Sequence, residues 1–251
     1  MRRPLLALAL ALVLVPLAPV MAQPADTPWP MVQHDARRTG KSTASGPSSG
    51  AVKVKWTFKG KDWIKTQPAI GGDGTVYVGN HSSPSIGLDG TIYVGTSQGL
   101  FAVRDDGASG AVLPGWSFTD NGAPGEFDTA AAISDGTLFA SRFYQGKRTL
   151  YAVAATDAPT GSPGALRWKK GPAAGSTSSK NSQTPSPVVG ANGIVYAAIG
   201  LWVYAFDPGR PTPATPLWQH KLPKHAISLA VGDGVLYVAA RDSNLYAIVD
   251  Q

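Results

Sequence analysis

No cysteine occurs among the 251 residues, and there is one glutamate, Glu126. The first absence excludes a disulfide framework and a lipid anchor on cysteine. The second, beside 29 glycines and 21 prolines, leaves few strong helix formers and many turn formers, so the chain is expected to be all-β. Long apolar runs are missing as well. Leu5 to Val15 is too short, and too closely followed by Pro16 and Pro19, to favour a membrane-spanning helix. It stands behind Arg2 and Arg3 and ahead of Val20-Met21-Ala22, the layout of a secretory signal peptide cleaved after Ala22. Residues 1–22 are therefore expected to be removed, placing the mature chain in the periplasm or outside the cell. Losing Arg2 and Arg3 lowers the formal charge from +6 to +4, a modest balance that does not indicate nucleic acid.

What the chain does contain is a repeat. "DGTVYVG" begins at Asp73 and returns at Asp89, then as "DGTLFAS" at Asp135, "NGIVYAA" at Asn192 and "DGVLYVA" at Asp233. Each copy opens with Asp-Gly or Asn-Gly (Gly74, Gly90, Gly136, Gly193, Gly234), a pair that tolerates the positive φ of a tight hairpin turn. Four residues after the Asp or Asn stands an aromatic: Tyr77, Tyr93, Phe139, Tyr196, Tyr237. A second column, "LFAV", "LYAV", "VYAF" and "LYAI", carries Ala102, Ala152, Ala205 and Ala247 at its third place, where a small side chain permits close packing. A third column is a tryptophan in a short strand: Trp56, Trp116, Trp168, Trp218.

The unit is thus an inner strand, a Gly turn, a "VYV" strand, a "LYA" strand and a Trp strand. The copies from Asp89 onward are separated by 46, 57 and 41 residues, and four antiparallel strands at a period of about 40 to 50 residues describe a propeller blade. Residues 23–51 read as an extended lead-in and 52–251 as the repeat domain. The pair at Asp73 and Asp89 is only 16 residues apart, too close for a whole unit, so the first copy is expected to be half a blade. The last copy lacks its Trp strand, whereas the domain starts with an orphan one around Trp56. Four full blades plus a half are expected, with closure of the ring by pairing of the Trp56 strand to the last blade.

With these columns in view, the sequence resembles the PQQ-like quinoprotein β-propeller repeat family over most of the mature chain. "WPMVQHDARRTGKS" (Trp29 to Ser42) resembles the usual lead-in of its members. The family includes quinone-dependent alcohol and sugar dehydrogenases, and the non-catalytic propeller lipoprotein of the outer-membrane barrel-assembly machinery. For the first role the resemblance implies PQQ with calcium, an adjacent cysteine pair, and Glu and Asn ligands beside an Asp base. For the second it implies an envelope protein partner. Members usually have seven or eight blades, and this chain has about half that number.

Other motifs read more plainly as structure. "GTSQG" (Gly95 to Gly99) matches a nucleophile elbow but joins two strands, where the elbow needs a strand-to-helix turn. "TGKST" (Thr39 to Thr43) lacks the first glycine of a phosphate loop. Asp120, Asn121, Glu126 and Asp128 offer oxygen ligands of the kind calcium takes, although their spacing is not that of an EF-hand; a solvated interblade loop is the favoured reading. In "KVKWTFKGK" the lysines share one parity, and Val54, Trp56 and Phe58 the other, which predicts a strand with one wet and one buried face.

No catalytic residue is assigned. The expected function is a non-enzymatic exported scaffold that binds an envelope or secreted protein. The alternatives are a PQQ-dependent dehydrogenase, or a quinone- or calcium-binding remnant of one, and a secreted binder of carbohydrate or envelope polymer.

Overall fold

The structure, a computed structural model, describes residues 66–249 apart from 80–81, 106–109, 124, 159–160, 173–183 and 211, together with 35, 37, 47–48, 53–55 and 57. Trp56 and residues 1–22 lie outside the described residues. Every regular element that is described is a strand.

The Gly turns set the frame, and they come in two forms. Asp135-Gly136 and Asp233-Gly234 have positive φ at both residues (46° and 60°, 51° and 76°). These are the two-residue turns whose twist matches that of the flanking strands. At Asp73, Asp89 and Asn192 only the following glycine is left-handed. There the turn is three residues long and closed twice: Gly71 N–H donates to the Thr75 carbonyl, and Gly74 N–H to that of Gly71, with equivalent bonds at Gly87 and Gly190. The Asp or Asn Oδ1 also accepts from the backbone N–H two residues on, at 2.9 Å for Thr75 and 3.0 Å for Thr91. The longer turn thus requires its leading glycine, since a Cβ on Gly71 would meet the Asp73 carboxylate at 2.7 Å.

From these turns grow five antiparallel sheets. A half blade pairs β1 (Ala69–Ile70) with β2 (Val76–Tyr77). Blade one runs β3 (Ser85–Ile86), β4 (Ile92–Gly95), β5 (Leu100–Asp105), β6 (Gly110–Phe118). In blade two, β7 (Glu126–Phe127) and β8 (Ala132–Ser134) both pair with β9 (Thr137–Tyr144), followed by β10 (Lys147–Ala154) and β11 (Leu166–Lys170). Blade three is β12 (Val188–Val189), β13 (Val195–Ile199), β14 (Trp202–Phe206), β15 (Trp218–Lys221). Blade four has three strands, β16 (Ala226–Gly232), β17 (Val235–Ala240) and β18 (Leu245–Ile248). Each blade packs face to face on the next, so the core is a series of interblade layers. Leu100 and Trp116 meet Leu138 and Tyr151; Phe139 and Trp168 meet Val195 and Phe206; Val203 and Leu222 meet Leu236 and Val238. The half blade covers Ile86 and Ile92 of blade one.

The innermost strands are stitched to one another. Gln67 N–H donates to Ser83 Oγ (3.0 Å) and Ala130 N–H to Ser186 Oγ (3.1 Å), while Ser85 Oγ donates to the Ala131 carbonyl (2.8 Å). These bonds satisfy backbone groups just ahead of the short inner strands, which have no further strand beside them. The fold is therefore a β-propeller of successive antiparallel blades.

Within a blade, register explains the alanine column. The "VYV" aromatic stands directly opposite it: Tyr93 on Ala102, Phe139 on Ala152, Tyr196 on Ala205, Tyr237 on Ala247. In blades two and three the alanine also stands opposite the Trp, as Ala152 on Trp168 and Ala205 on Trp218. A methyl group in the middle strand lets the flanking rings meet over it. Ring centroids are 5.1 Å apart for Tyr93–Trp116 and 5.9 Å for both Phe139–Trp168 and Tyr196–Trp218, within the range favoured by aromatic pairs.

The expected Trp56 strand is corrected where it can be seen. Residues 53–55 and 57 are in no strand, and Val54, expected on the buried face, is 79% exposed. Among the described residues, nothing pairs with the outer edge of β18. From the lead-in, the Arg37 carbonyl accepts a hydrogen bond from Val231 N–H on β16.

The row of aromatic, alanine and tryptophan predicts an asymmetry between two equivalent positions. Ala152 is fully buried between two rings, so Ala152→Leu overpacks and should cost about 1–3 kcal/mol in chemical denaturation. Ala247, in the row without a Trp, is exposed, and Ala247→Leu should stay within about 0.5 kcal/mol of wild type.

Candidate functional site

Besides the half blade, two places depart from the repeat: one leaves repeat side chains uncovered, and the other gathers charged side chains that lie outside the repeat columns. The first is the outer edge of blade four. Its row stops at Tyr237 and Ala247, and among the described residues no Trp strand lies beside β18 and no following blade covers this face. Tyr237 is 41% exposed, Leu245 69% and Val249 58%, whereas Tyr93, Phe139, Leu100 and Leu150, their counterparts in the first two blades, are buried. An edge strand with unpaired backbone groups and apolar side chains is a template for adding another strand. Tyr246, on the other parity, is tied down by a hydrogen bond from its hydroxyl to Asp242.

The second departure is in blade two, where β9 and β10 run past the length of a normal blade and turn at Gln145-Gly146, both left-handed (φ 45° and 74°). The calcium candidates lie around this extension. Asp120, Asn121 and Gly122 are three consecutive left-handed residues (φ 49°, 59° and 73°). Such a conformation costs about 1–2 kcal/mol for each non-glycine residue, and it persists because the surroundings hold it. The holding group is the Asp120 carboxylate, which accepts from Tyr151 (2.8 Å), Lys169 Nζ (3.0 Å) and Arg142 (3.3 Å). Burial acts to raise this carboxyl, but the hydrogen bonds from Tyr151 and Lys169 and the two cations hold it below the ordinary value. Arg142 also donates to the Ala123 carbonyl. Gly125 lets the loop lie flat on β9, since a Cβ there would fall 2.6 Å from Arg142 Nε.

Asp128 binds elsewhere. It takes both amino groups of Arg148, at 2.5 and 2.9 Å, and the Arg148 side chain is 1% exposed with its Cζ 5.4 Å from the Phe143 ring centre. Glu126 is in β7, opposite Phe143. Asp120 and Asp128 are thus committed to separate partners, and the expected loop is partly a strand. Among the described residues no group of three or more His, Asp or Glu side chains is arranged to hold a metal ion. A calcium ion at Asp120 would have to displace an arginine and a lysine.

Tyr151 stands in the "LYAV" column, but Arg142 and Arg148 are not foreshadowed by the repeat columns. Their sequence signal is "FYQGKR" (Phe143 to Arg148), in which Gln-Gly replaces the usual Asn-Gly of a two-residue turn. "GTSQG" forms the β4–β5 hairpin, with Thr96 Oγ1 accepting from Gln98 and Gly99 N–H.

No family model matches the chain, and no curated protein matches it. Among solved structures, BamB from Moraxella catarrhalis is similar at 17% identity and a TM-score of 0.48, over 69% of this chain and 48% of that one. The computationally designed Ika4 protein is similar at 15% identity and a TM-score of 0.44, over 63% of this chain and 84% of that one. The chain thus spans about half the length of BamB.

Two outcomes test the electrostatics. Burial, and then the neighbouring Asp120 carboxylate, push the Tyr151 phenol up from 10.0 to about 12. A raised folded pKa means stability that is present below pH 10 and lost as pH climbs through about 12. Tyr151→Phe should therefore flatten the fall in melting temperature between pH 10 and pH 12, at the cost of lower stability at neutral pH. Asp128→Ala strands a buried guanidinium and should cost about 3–5 kcal/mol. Adding Arg148→Met should restore most of it, as measured by denaturant unfolding.

Proposed function

We propose that the protein is an exported, non-catalytic propeller that binds an envelope or secreted protein, and that the partner adds a strand to β18. The observation that carries this reading is the unfinished row of blade four. In the other blades the third strand is covered by a fourth that brings a tryptophan against the aromatic and the alanine. In blade four Tyr237, Ala247 and Leu245 stand ready for such a strand, with the outer edge of β18 unpaired among the described residues. Strand addition draws affinity from main-chain hydrogen bonds and specificity from alternate side chains. The partner segment is expected to be extended and to carry an aromatic residue opposite Ala247. Export through a signal peptide ending at Ala22 belongs to the same proposal. Among the described residues no helix is long and apolar enough to cross a membrane.

Site-specific photocrosslinking tests it. A photoreactive residue at Leu245 should give a discrete product with an envelope protein, in which the attached peptide carries an aromatic residue. The same probe at Val112, an exposed position on β6 of the covered type of blade, should not. Equal labelling from both positions, or crosslinks from Leu245 only to residues 53–58 of the same chain, would overturn the reading.

A further inference from the structure

The extension of blade two borders a half-open cavity of about 300 Å³ lined by Asp120, Ala123, Arg142, Tyr144, Gln145, Lys147, Thr149 and Tyr151. Its floor follows from strand alternation. Arg142 stands opposite Thr149 and Tyr144 opposite Lys147 across β9 and β10, so these four side chains share one face. The opposite face is closed by Phe143 and the Arg148–Asp128 pair. One wall is the loop from Asp120 to Ala123, pinned through Arg142. The floor is therefore rigid paired backbone, and the wall is fixed by charge.

The geometry points to a binding site for an acidic, sugar-sized ligand: a carboxylate or phosphate carried on a polyhydroxylated ring. The charges select the anion. Asp120 is the one carboxylate of the lining and is already shared by Arg142, Lys169 and Tyr151. Lys147 has no anionic partner among the described residues, and it lines the cavity with Arg142, so the cavity has an uncommitted positive charge. Charge-assisted hydrogen bonds to an oxyanion are about twice as strong as neutral ones. The other lining groups select the ring. Tyr144 is 42% exposed and offers an aromatic face and a hydroxyl, while Thr149 and Gln145 offer further donors and acceptors. The volume is at the lower end for small-molecule sites, which starts at about 300 Å³ and suits one monosaccharide rather than a chain. This site is independent of the blade-four edge.

Calorimetric titration of the purified protein with glucuronate, glucose 6-phosphate, inorganic phosphate and neutral glucose tests the assignment. At least one acidic sugar should bind about tenfold or more tightly than glucose and than inorganic phosphate, and more weakly as salt is raised. Lys147→Ala and Tyr144→Ala, both at exposed positions, should each weaken that binding about tenfold at an unchanged melting temperature. Lys170→Ala, which removes the same charge next to Tyr204 instead, should leave it intact. Binding of the uronate alone or the phosphate alone identifies the source of the anion. Failure of both acidic sugars to bind overturns the site, as does undiminished binding by the Lys147 variant. Inorganic phosphate binding as tightly as glucose 6-phosphate, with no uronate binding, removes the role of the ring and overturns it also.

Discussion

The contact on which the fold depends is the meeting of two rings over an alanine. A "VYV" aromatic on one strand and a tryptophan two strands away touch because the strand between them carries only a methyl group at that height. The ridge so formed is what each blade presses into its neighbour. Trp168 touches Phe139 in its own blade and Phe206 in the next (5.3 Å), so one indole joins the two blades that meet in this layer. Since aromatic pairs contribute about 0.5–1.5 kcal/mol beyond the area they bury, a stack of thin sheets with short inner strands gains cohesion where simple sheet area is small.

The same aromatic column also latches blades by hydrogen bonds. The Tyr77 hydroxyl donates to Asp105 (2.9 Å), at the end of the third strand of the next blade. The Tyr93 hydroxyl lies 2.6 Å from Thr156 Oγ1, in the equivalent place one blade further on. Thr156 in turn donates to Asp89 in the turn of the preceding blade (2.8 Å). Burial raises the Asp89 carboxyl, but Thr91, Thr156 and Arg104 together bring it below its ordinary value. A tyrosine serves better than phenylalanine at these positions because its ring fills the layer while its hydroxyl satisfies a group at the rim.

What could be read from residues alone follows from this economy. The Gly turns, the aromatics, the alanines and the tryptophans recur because each blade solves the same local problem, and periodicity exposes them. Half a blade at Asp73 was legible for the same reason, from a distance too short to hold four strands. The reason for the alanine column was not, since it depends on cross-strand register. Nor was the split between two- and three-residue turns, which rests on whether the residue before the glycine itself turns left-handed. The Asp120–Arg142–Tyr151–Lys169 cluster was hidden more deeply. Tyr151 is a column residue, but its charged partners occur once, so no repetition marks them, and the cluster spans 49 residues in sequence between Asp120 and Lys169.

Departures from a repeat have a cost, and the two found here have it in different forms. In blade two the chain accepts left-handed Asp120, Asn121 and Gln145 and buries a guanidinium, and all of it is compensated locally by ion pairs and an additional strand, β7. In blade four no described strand or blade compensates: Tyr237 and Leu245 remain exposed where the corresponding side chains of blades one and two are sealed. Strain that is locally offset suits a preformed cavity, whose lining must hold its shape before a small ligand arrives. An uncompensated edge suits a surface completed by another chain, because the missing contacts are then supplied on association. The contrast between an extension that finishes itself and a blade that does not is the physical ground for assigning a small molecule to the first and a protein strand to the second.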